Sequence, residues 1–408
     1  MGVNTVNFQQ SATVLNSVVK QATGRESVIA TEGDFVSVAQ VALSLPKDSV
    51  INAISGVLAK TIFINRPYTA KLKGLQKDMP TWGAYMRKLG VIEDEWDDNK
   101  AFKYPVTYDA TETGEEYGDG KSTDMFAQKK RKIQQTNFLG QSTFQDHYTL
   151  HREQYYTGFT GSEQFAAFLS MIGTNMQNKI ELAYEGYSRY LVSNFIASLI
   201  KENNSSRVVK LLTLYNSETG MTGTEGAYTA TSIMQPDNYP AFIKWAYAKI
   251  ASIASLMTEY STRYQTTINS APILKHTPYN KQRAYILGGE KYQIEARVLA
   301  DTFHNSYMDL ADAEIINYWQ GIETPDKIII KPTYTNTSGE VTTSATNVTQ
   351  TGVFGVLFDD EALGWNVTNY SVDPTPYVAD GKYWNLWYSF LCRTMQDNTE
   401  KGVVFLLA

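Results

Sequence analysis

The stretch SEQFAAFLSMIGTNMQNKIELAYEGYSRYLVSNFIASLIK, residues 162–201, has the most regular apolar pattern in the chain. Apolar side chains recur there at steps of three and four residues, which is the spacing of one face of an α-helix. These residues are Phe165, Phe168, Leu169, Ile172, Met176, Ile180, Ala183, Tyr187, Tyr190, Leu191, Phe195, Ile196 and Leu199. Thr160 or Ser162 can cap such a helix, and Glu163 falls in its first turn. The sequence therefore predicts one amphipathic helix of about 60 Å, either a spine across a flat molecule or a member of a bundle.

The residues at the start of the chain contain no element of comparable length. Short helical patterns occupy residues 35–43 and 48–60, and Pro46 interrupts the chain between them. Pro67 and Pro80 break the part that follows. This arrangement is typical of an extended arm with small helices.

Charges are segregated between the arm and the long helix. An acidic run at residues 93–98 precedes a strand-like alternation at residues 104–110, a glycine-rich turn follows, and a basic run then leads into a β-compatible stretch at residues 133–144. We predict a two-stranded hairpin, which would be only marginally stable alone and would need a neighbour. The alternative is a solvated charged loop. The residues predicted to contact another subunit are Glu112, Glu115, Glu116, Asp119, Lys121, Lys129, Lys130, Arg131 and Lys132.

The chain after the long helix alternates between helical and strand-like patterns. A helix is predicted over residues 239–263, a short strand over residues 284–289 and a further helix over residues 290–303. The alternating stretch at residues 341–348 predicts a hairpin. The remaining runs predicted to be strands are KIIIKP, GVFGVLF, KYWNLWYSFL and GVVFLLA.

These patterns predict an α+β protein in six consecutive parts. They are an N-terminal arm with short helices (1–65), an entry segment (66–90), an extended charged hairpin loop with its return strand (91–160), a spine helix (161–212), a compact α+β part (213–335) and a strand-rich C-terminal part (336–408).

Gly120, Lys121 and Ser122 match the end of a phosphate-binding loop. Such a loop needs a first glycine five positions before Gly120, but that position holds Glu115. Nearby carboxylates would also repel a phosphate, and the flanking sequence lacks the strand and helix that frame a phosphate loop. The sequence therefore disfavours a nucleotide-hydrolysing enzyme.

His147 and His151 are four residues apart, which suits a metal site on a helix. Their surroundings are strand-like, however, and the intervening YTL lacks the glutamate of a zinc protease. The GGEK run at residues 288–291 fits a strand-to-helix turn better than a catalytic loop. The single cysteine, Cys392, lies in an apolar run typical of core packing. We predict no catalytic residue, cofactor or metal.

The composition is that of a globular chain of 408 residues, 43% of which are hydrophobic. The net charge of -6 disfavours a protein that grips nucleic acid over its whole surface. Aromatic residues make up 12% of the chain, which suits interfaces as well as a β-rich core. We find no secretory signal, myristoylation pattern or membrane-length apolar run, so we expect a protein folded in a reducing cytoplasm with no membrane partner.

The order of arm, charged hairpin, spine helix, α+β part and C-terminal strands resembles the major capsid proteins of tailed double-stranded DNA phages, most of all those of small short-tailed podoviruses. The resemblance extends from about residue 48 onward in loosely matched blocks. The blocks are LGVIEDEWDDN (89–99), the helix run at 165–196, RAYILGGEKYQIEARVLADTF (283–303), GVFGVLFDDEALGW (352–365), YWNLWYSFL (383–391) and KGVVFLL (401–407).

The resemblance implies an HK97-like capsid fold and a structural head protein that self-assembles into an icosahedral shell around double-stranded DNA. It implies that residues 66–90, 161–212 and 336–408 form a peripheral domain and residues 213–335 an axial domain. It also implies hexamers and pentamers of the chain itself, with the hairpin laid over the next subunit and the axial domain at each five- or six-fold centre. A separate scaffolding protein and a portal are the other expected partners, and DNA contacts at the inner face would be non-specific. The protein would be made in the bacterial host cytoplasm and end in the virion.

Three other functions remain as alternatives. A portal or tail subunit is one, although a portal should carry longer helices in its second half, which is strand-rich here. A nucleotide- or metal-dependent enzyme is another, on the motifs above. A sugar-binding β-protein is the third, but it would need a secreted context.

Overall fold

The computed structural model describes residues 8–23, 29, 31–44, 70–77, 86–92, 126, 133–138, 140–152, 162–221, 226–269, 273–288 and 313–408. Its helices are α1 (Phe8–Thr23), α2 (Glu32–Ser44), α3 (Ser162–Glu202), α4 (Leu211–Glu218), α5 (Ala230–Ile233) and α6 (Tyr239–Met257). Its strands are β1 (Met86–Val91), β2 (Ile133–Phe138), β3 (Gly140–His151), β4 (Val208–Lys210), β5 (Gln282–Leu287), β6 (Ala313–Ile316), β7 (Ile328–Ile330), β8 (Thr333–Thr335), β9 (Val341–Thr343), β10 (Val348–Gln350), β11 (Val353–Asp359), β12 (Leu363–Pro374), β13 (Tyr383–Gln396) and β14 (Gly402–Leu406).

Helix α3 is the predicted spine and runs without interruption for 41 residues. Its side chains are buried on every face over residues 191–199, so the predicted amphipathic pattern does not extend to that end. Asn194 is accommodated there because its side chain bonds both the carbonyl and the N–H of Thr333, each at 3.0 Å. The helix thus forms an axis around which the sheets are arranged.

The largest sheet has five strands in the order β4-β14-β11-β5-β6. The central pairs β14-β11 and β11-β5 are antiparallel, whereas the edge strands β4 and β6 pair in parallel. Strands β11 and β14 belong to the sequence after residue 335, so this sheet draws on both sides of the boundary predicted between the axial domain and the C-terminal return.

Both faces of this sheet are buried because side chains alternate between them. Tyr285, Phe358 and Val404 join the core formed with α3. Leu357 and Phe405 point the other way, into a core formed with α4 and α6. The sheet is therefore the layer that joins the two hydrophobic cores.

A second sheet, ordered β12-β13-β3, is antiparallel throughout and covers part of α3. Phe144 of β3 stacks on Phe390 of β13, with ring centroids 5.2 Å apart, and meets Tyr187 of α3 edge-on at the same distance. Buried Trp365 of β12 donates its indole N–H to Ser188 Oγ on α3 at 2.8 Å. These contacts hold the long strands against the spine.

Strands β1 and β2 form a separate two-stranded antiparallel ribbon, in which Met86 pairs with Phe138 and Val91 with Ile133. The ribbon brackets the segment predicted to form the charged hairpin loop. Strand β2 is separated from β3 by a single residue, so the ribbon continues directly into the sheet that covers the spine.

Two predictions for smaller elements require correction. The predicted hairpin at residues 341–348 is wrong in its pairing, because β9 pairs with β8 and β10 pairs with β7. Helix α6 ends at Met257, six residues before the predicted end, since Thr258 caps it and Ser261 then forms a bridge with Lys275. The predicted helix at 290–303 lies outside the described residues.

Near the N-terminus, α2 spans the predicted pattern at residues 35–43. Thr31 and Asp34 exchange backbone-to-side-chain hydrogen bonds of 2.9 and 3.2 Å at its start, which satisfies free N–H groups there. Helix α1 was not predicted, and it packs against α2 and α3. The predicted pattern at 48–60 lies outside the described residues. Among the helices of the described ranges, none has the length and apolar character needed to span a membrane.

Candidate functional site

The turn between β13 and β14, residues 397–401 with the sequence DNTEK, is buried although every one of its residues is polar or charged. Burying such groups is costly unless they are hydrogen-bonded or paired. Four distant parts of the chain supply those partners. We call this turn and its charged partners Glu202, Arg207, Lys88 and Lys275 the polar hub.

Arg207 connects the end of α3 to the turn. Its guanidinium is fully buried, pairs with Glu202 at 2.8 Å and donates to the carbonyl oxygens of Asn398 and Glu400 at 2.8 and 3.0 Å. It also donates to the carbonyl of Gly402 at 3.1 Å. Burial lowers the pKa of Arg207 to about 10, and Glu202 opposes this shift, so the side chain stays charged at neutral pH. The planar, multi-donor guanidinium suits this set of acceptors.

Lys401 connects the turn to the end of α6. Its Nζ atom donates to the carbonyl oxygens of Met257 and Glu259 at 3.2 and 2.7 Å, and to Ser261 Oγ at 3.2 Å. Burial lowers the pKa of Lys401, while Asp359 and Glu259 act in the opposite direction. The lysine thus satisfies carbonyl groups left free where the helix ends.

Lys88 connects the ribbon to the hub. Its Nζ atom lies 3.1 Å from Asp397 Oδ2 and also pairs with Glu400 Oε1, a carboxylate that receives Lys275 at 2.8 Å. Burial disfavours the charged form of Asp397, but Lys88 and Lys275 outweigh it and lower the pKa of this carboxyl. Burial likewise opposes the charge of Lys88, and Asp397 and Glu400 raise its pKa overall.

A groove of about 580 Å³ lies between the inner face of the ribbon and the body. The groove is lined on the ribbon side by Lys88, Gly90 and Thr136, and on the body side by residues 273–276. Near Gly90, an added Cβ would lie 3.8 Å from Ile273 Cδ1.

The outer face of the ribbon exposes apolar side chains. Leu89 and Ile133 are each 62% exposed and Val91 is 49% exposed. Val91 and Ile133 are opposite each other in the ribbon register, and Leu89 is two positions along the same strand face. An apolar patch of this kind, on a ribbon that has two strands within the described residues, indicates a contact surface for another molecule.

A sequence profile of the Phi29-like phage major capsid protein family matches residues 15–394, which is most of the chain. The chain belongs to that family. This major capsid protein is a structural component of the phage head shell. No curated protein sequence matches it.

Solved phage structures share its fold. The capsid structure of Staphylococcus phage Andhra is similar with a TM-score of 0.54 and 11% identity, over 85% of this chain and 87% of that one. A chain from the structure of head fiber and inner core protein gp22 of native bacteriophage P68 is similar with a TM-score of 0.54 and 9% identity, over the same shares. The predicted HK97-like capsid fold is confirmed.

The nine charged residues predicted to contact another subunit all lie outside the described residues. They are Glu112, Glu115, Glu116, Asp119, Lys121, Lys129, Lys130, Arg131 and Lys132, and the Gly120-Lys121-Ser122 motif lies with them. Their role stays a prediction.

His147 and His151 both lie on the exposed face of strand β3. Their rings contact Trp387 and Tyr383, with centroid distances of 4.5 and 6.2 Å. The two histidines are four steps apart along an extended strand, so their backbones are separated by roughly 13 Å. At that separation both rings cannot bind one metal ion. Across the described ranges, no cluster of potential metal ligands is found. Cys392 is buried in the core, as predicted, and burial raises the pKa of its thiol to about 11.

The polar hub is not visible in the sequence patterns. DNTEK has the composition of an exposed turn, and Lys88 and Arg207 lie in segments without a distinctive motif. The only signal was the position of five polar residues between two strongly apolar strands. That signal marks a turn, but it does not indicate that the turn is buried.

Proposed function

We propose that this major capsid protein assembles with copies of itself through its ribbon into hexamers and pentamers of an icosahedral shell, which encloses double-stranded DNA. The observation that carries the proposal is the ribbon, whose outer face exposes Leu89, Val91 and Ile133. A two-stranded ribbon is marginally stable alone and gains stability from a neighbour. In a shell built from one chain, that neighbour is another copy.

The charged segment between the ribbon strands extends the same interface. Its carboxylates would pair with basic groups of the next subunit, and Lys121 would pair with a carboxylate there. These acidic residues are Glu112, Glu115, Glu116 and Asp119. The basic run Lys129, Lys130, Arg131 and Lys132 would meet carboxylates of the next subunit. Each exposed ion pair contributes only about 0.2–1 kcal/mol, but a closed shell repeats the contact in every subunit. Weak single contacts also let a misplaced subunit dissociate during assembly.

For the remaining parts of the chain, we propose roles on the basis of the family to which it belongs. We assign residues 161–212 to the peripheral spine, residues 213–335 to the axial domain and residues 336–408 to strands that return to the peripheral domain. The shared five-stranded sheet supports a firm connection between these parts. A separate scaffolding protein and a portal would be the other partners, in a protein made in the host cytoplasm and carried in the virion.

The negative net charge of the chain supports a protein shell that encloses DNA and binds it only weakly. The net charge is -6, and many basic side chains of the described ranges are paired within the subunit, as Arg207, Lys88 and Lys275 are in the hub. Contacts with packaged DNA would therefore be local and non-specific. We assign the chain no catalytic role, since its family is a structural one.

The test is a charge reversal of the basic run. A variant with Lys129, Lys130, Arg131 and Lys132 changed to glutamate should fold with unchanged circular dichroism and yield few or aberrant particles in negative-stain electron microscopy. The matched control changes four exposed basic residues elsewhere, Lys201, Lys210, Lys331 and Lys382, to glutamate, which alters the net charge equally. If the first variant assembles into normal shells, the charged segment is not an interface between subunits.

A further inference from the structure

The contact between the ribbon and the body has an unusual composition. The ribbon is separated from residues 273–276 by a groove of about 580 Å³, and Lys88 reaches across it to two buried carboxylates and, at 3.9 Å, to the exposed carboxylate of Glu361. The side chain of Lys88 is 26% exposed, whereas those of Asp397 and Glu400 are 1% and 9% exposed. The lysine thus lies at the margin of the hub, and its two buried acceptors lie within it.

The two carboxylates keep other partners when Lys88 is removed. Asp397 Oδ1 accepts from the N–H and the hydroxyl of Thr399 at 2.9 and 2.6 Å. Glu400 Oε1 accepts from Lys275 Nζ at 2.8 Å. A buried carboxylate without partners would be costly, but these two remain bonded. Loss of the Lys88 contacts therefore leaves the hub intact and affects mainly the ribbon.

We propose that Lys88 is a releasable ionic latch that sets the orientation of the β1-β2 ribbon relative to the body of the free subunit. The groove gives the ribbon room to change its angle once the latch opens. The end of β2 lies next to the start of β3 in sequence, so the ribbon would turn about this end. In the shell, a neighbour that binds the outer face of the ribbon competes with the latch and draws the ribbon away from the hub; this part rests on the proposed function.

Two spin labels can measure the angle of the ribbon. One label is attached at Asn137→Cys on the ribbon and the other at Ile322→Cys on the body, both at exposed positions. Asn137 is not one of the apolar side chains assigned to the contact with a neighbour. Cys392 is 1% exposed, so the labels attach selectively to the introduced cysteines. The 408-residue subunit is measured in the unassembled fraction separated by size-exclusion chromatography. We expect a narrow distance distribution in the otherwise unchanged chain.

Three changes test the latch. Lys88→Met removes the charge at similar length and should broaden the distribution, with exchange of the β1 and β2 amide hydrogens faster by on the order of tenfold. Lys88→Arg keeps the charge and should preserve the narrow distribution. Raising the salt concentration from about 0.05 M to about 1 M should broaden it without any substitution, because salt screens a partly exposed ion pair.

The matched control is Lys249→Met. It removes an ion pair of 2.7 Å between Lys249 of α6 and Glu218 of α4, away from the ribbon, and should leave the distribution unchanged. If Lys88→Met and high salt both leave the distribution narrow, the latch is overturned. Should Lys88→Met fail to fold, the salt series on the unsubstituted chain decides the question alone.

Labelled subunits diluted into shells test release separately. A shifted distance in shells supports release on assembly, and the same distance as in the free subunit overturns it. If the labelled pair responds to salt as expected but the basic-run variant of the previous section assembles normally, the interface role of the charged segment fails and the latch of the free subunit stands.

Discussion

Arg207 donates a hydrogen bond of 3.0 Å to the backbone carbonyl of Glu400, across 193 positions of sequence. The bond joins the end of the spine helix to the turn between the last two strands. Glu400 in turn holds Lys88 of the ribbon and Lys275 of the body. One buried turn therefore connects the spine, the ribbon and the sheet that faces both cores.

Substitution of Arg207 should strongly destabilise the subunit. Arg207→Met leaves Glu202 without its ion pair and removes one donor from each of three buried carbonyls, so we expect a loss of about 3–5 kcal/mol in the free energy of unfolding. Urea denaturation of the isolated subunit measures it. The control is Arg263→Met, which removes an exposed guanidinium 5.0 Å from the Tyr264 ring and should cost about 1 kcal/mol or less. Equal losses in the two variants would contradict the role of Arg207.

The exposed glycine of the spine helix should be replaceable with a gain in stability. Among the described residues, no atom outside the adjoining helix backbone lies within 4 Å of a Cβ built at Gly186, so Gly186→Ala should raise the free energy of unfolding by about 0.5–1 kcal/mol. Gly355→Ala is the contrasting change, because its Cβ would lie 2.9 Å from the backbone oxygen of Tyr285. That variant should lose on the order of 1–3 kcal/mol. Thermal denaturation compares the two, and the same sign for both would refute the packing assignment.

The contact of Trp365 with Ser188 should be measurable as a coupling between the two residues. Their side chains share a buried hydrogen bond of 2.8 Å, and each loses its partner when the other is replaced. A double-mutant cycle of Trp365→Phe and Ser188→Ala should give a coupling energy of about 1 kcal/mol, beyond the packing losses of the single changes. Strict additivity of the two losses would mean that the bond is not formed in solution.

Acid should weaken the contact between β3 and the spine. Hydrogen bonds from Lys179 and Tyr388, of 2.7 and 2.6 Å, lower the pKa of Asp146 from 3.8 to about 2. Because the folded-state pKa lies below the unfolded value, the contribution of Asp146 is fully present above pH 3.8 and is lost as the pH falls toward 2. Its size is modest, since the side chain is 43% exposed.

The measurement for Asp146 is the free energy of unfolding as a function of pH. Asp146→Asn should flatten the dependence below pH 3.8 and leave the curve between about pH 6 and pH 8 without a new slope. An unchanged acid limb in the variant would show that other carboxylates account for it.

Much of the local structure was predictable from the order of residues. Strand β13 alternates buried and half-exposed side chains from Tyr383 to Cys392, and the sequence shows the same alternation in Trp384, Leu386 and Phe390. The apolar repeat that ends near Leu199 likewise predicted helix α3 almost to its last residue. Neither prediction needs a distant partner, because the period of the pattern follows from backbone geometry.

Pairing between distant elements was not predictable in this way. The hairpin expected at residues 341–348 has strands with suitable side chains, yet β9 and β10 take β8 and β7 as partners. Several short strands with similar alternation can pair equally well on local grounds. The choice is made by packing against α3, which β7, β8 and β10 all contact.

The sequence by itself determined the spine, the alternating strands and the resemblance to a phage capsid protein, because helical and strand periods are properties of neighbouring residues. Only the tertiary structure decided that DNTEK is buried and that Lys88, Arg207 and Lys275 converge on it. The burial of a charged turn is tolerable only when opposite charges and hydrogen-bond donors surround it. Those partners come from positions far apart in sequence, and the fold of the chain alone brings them together.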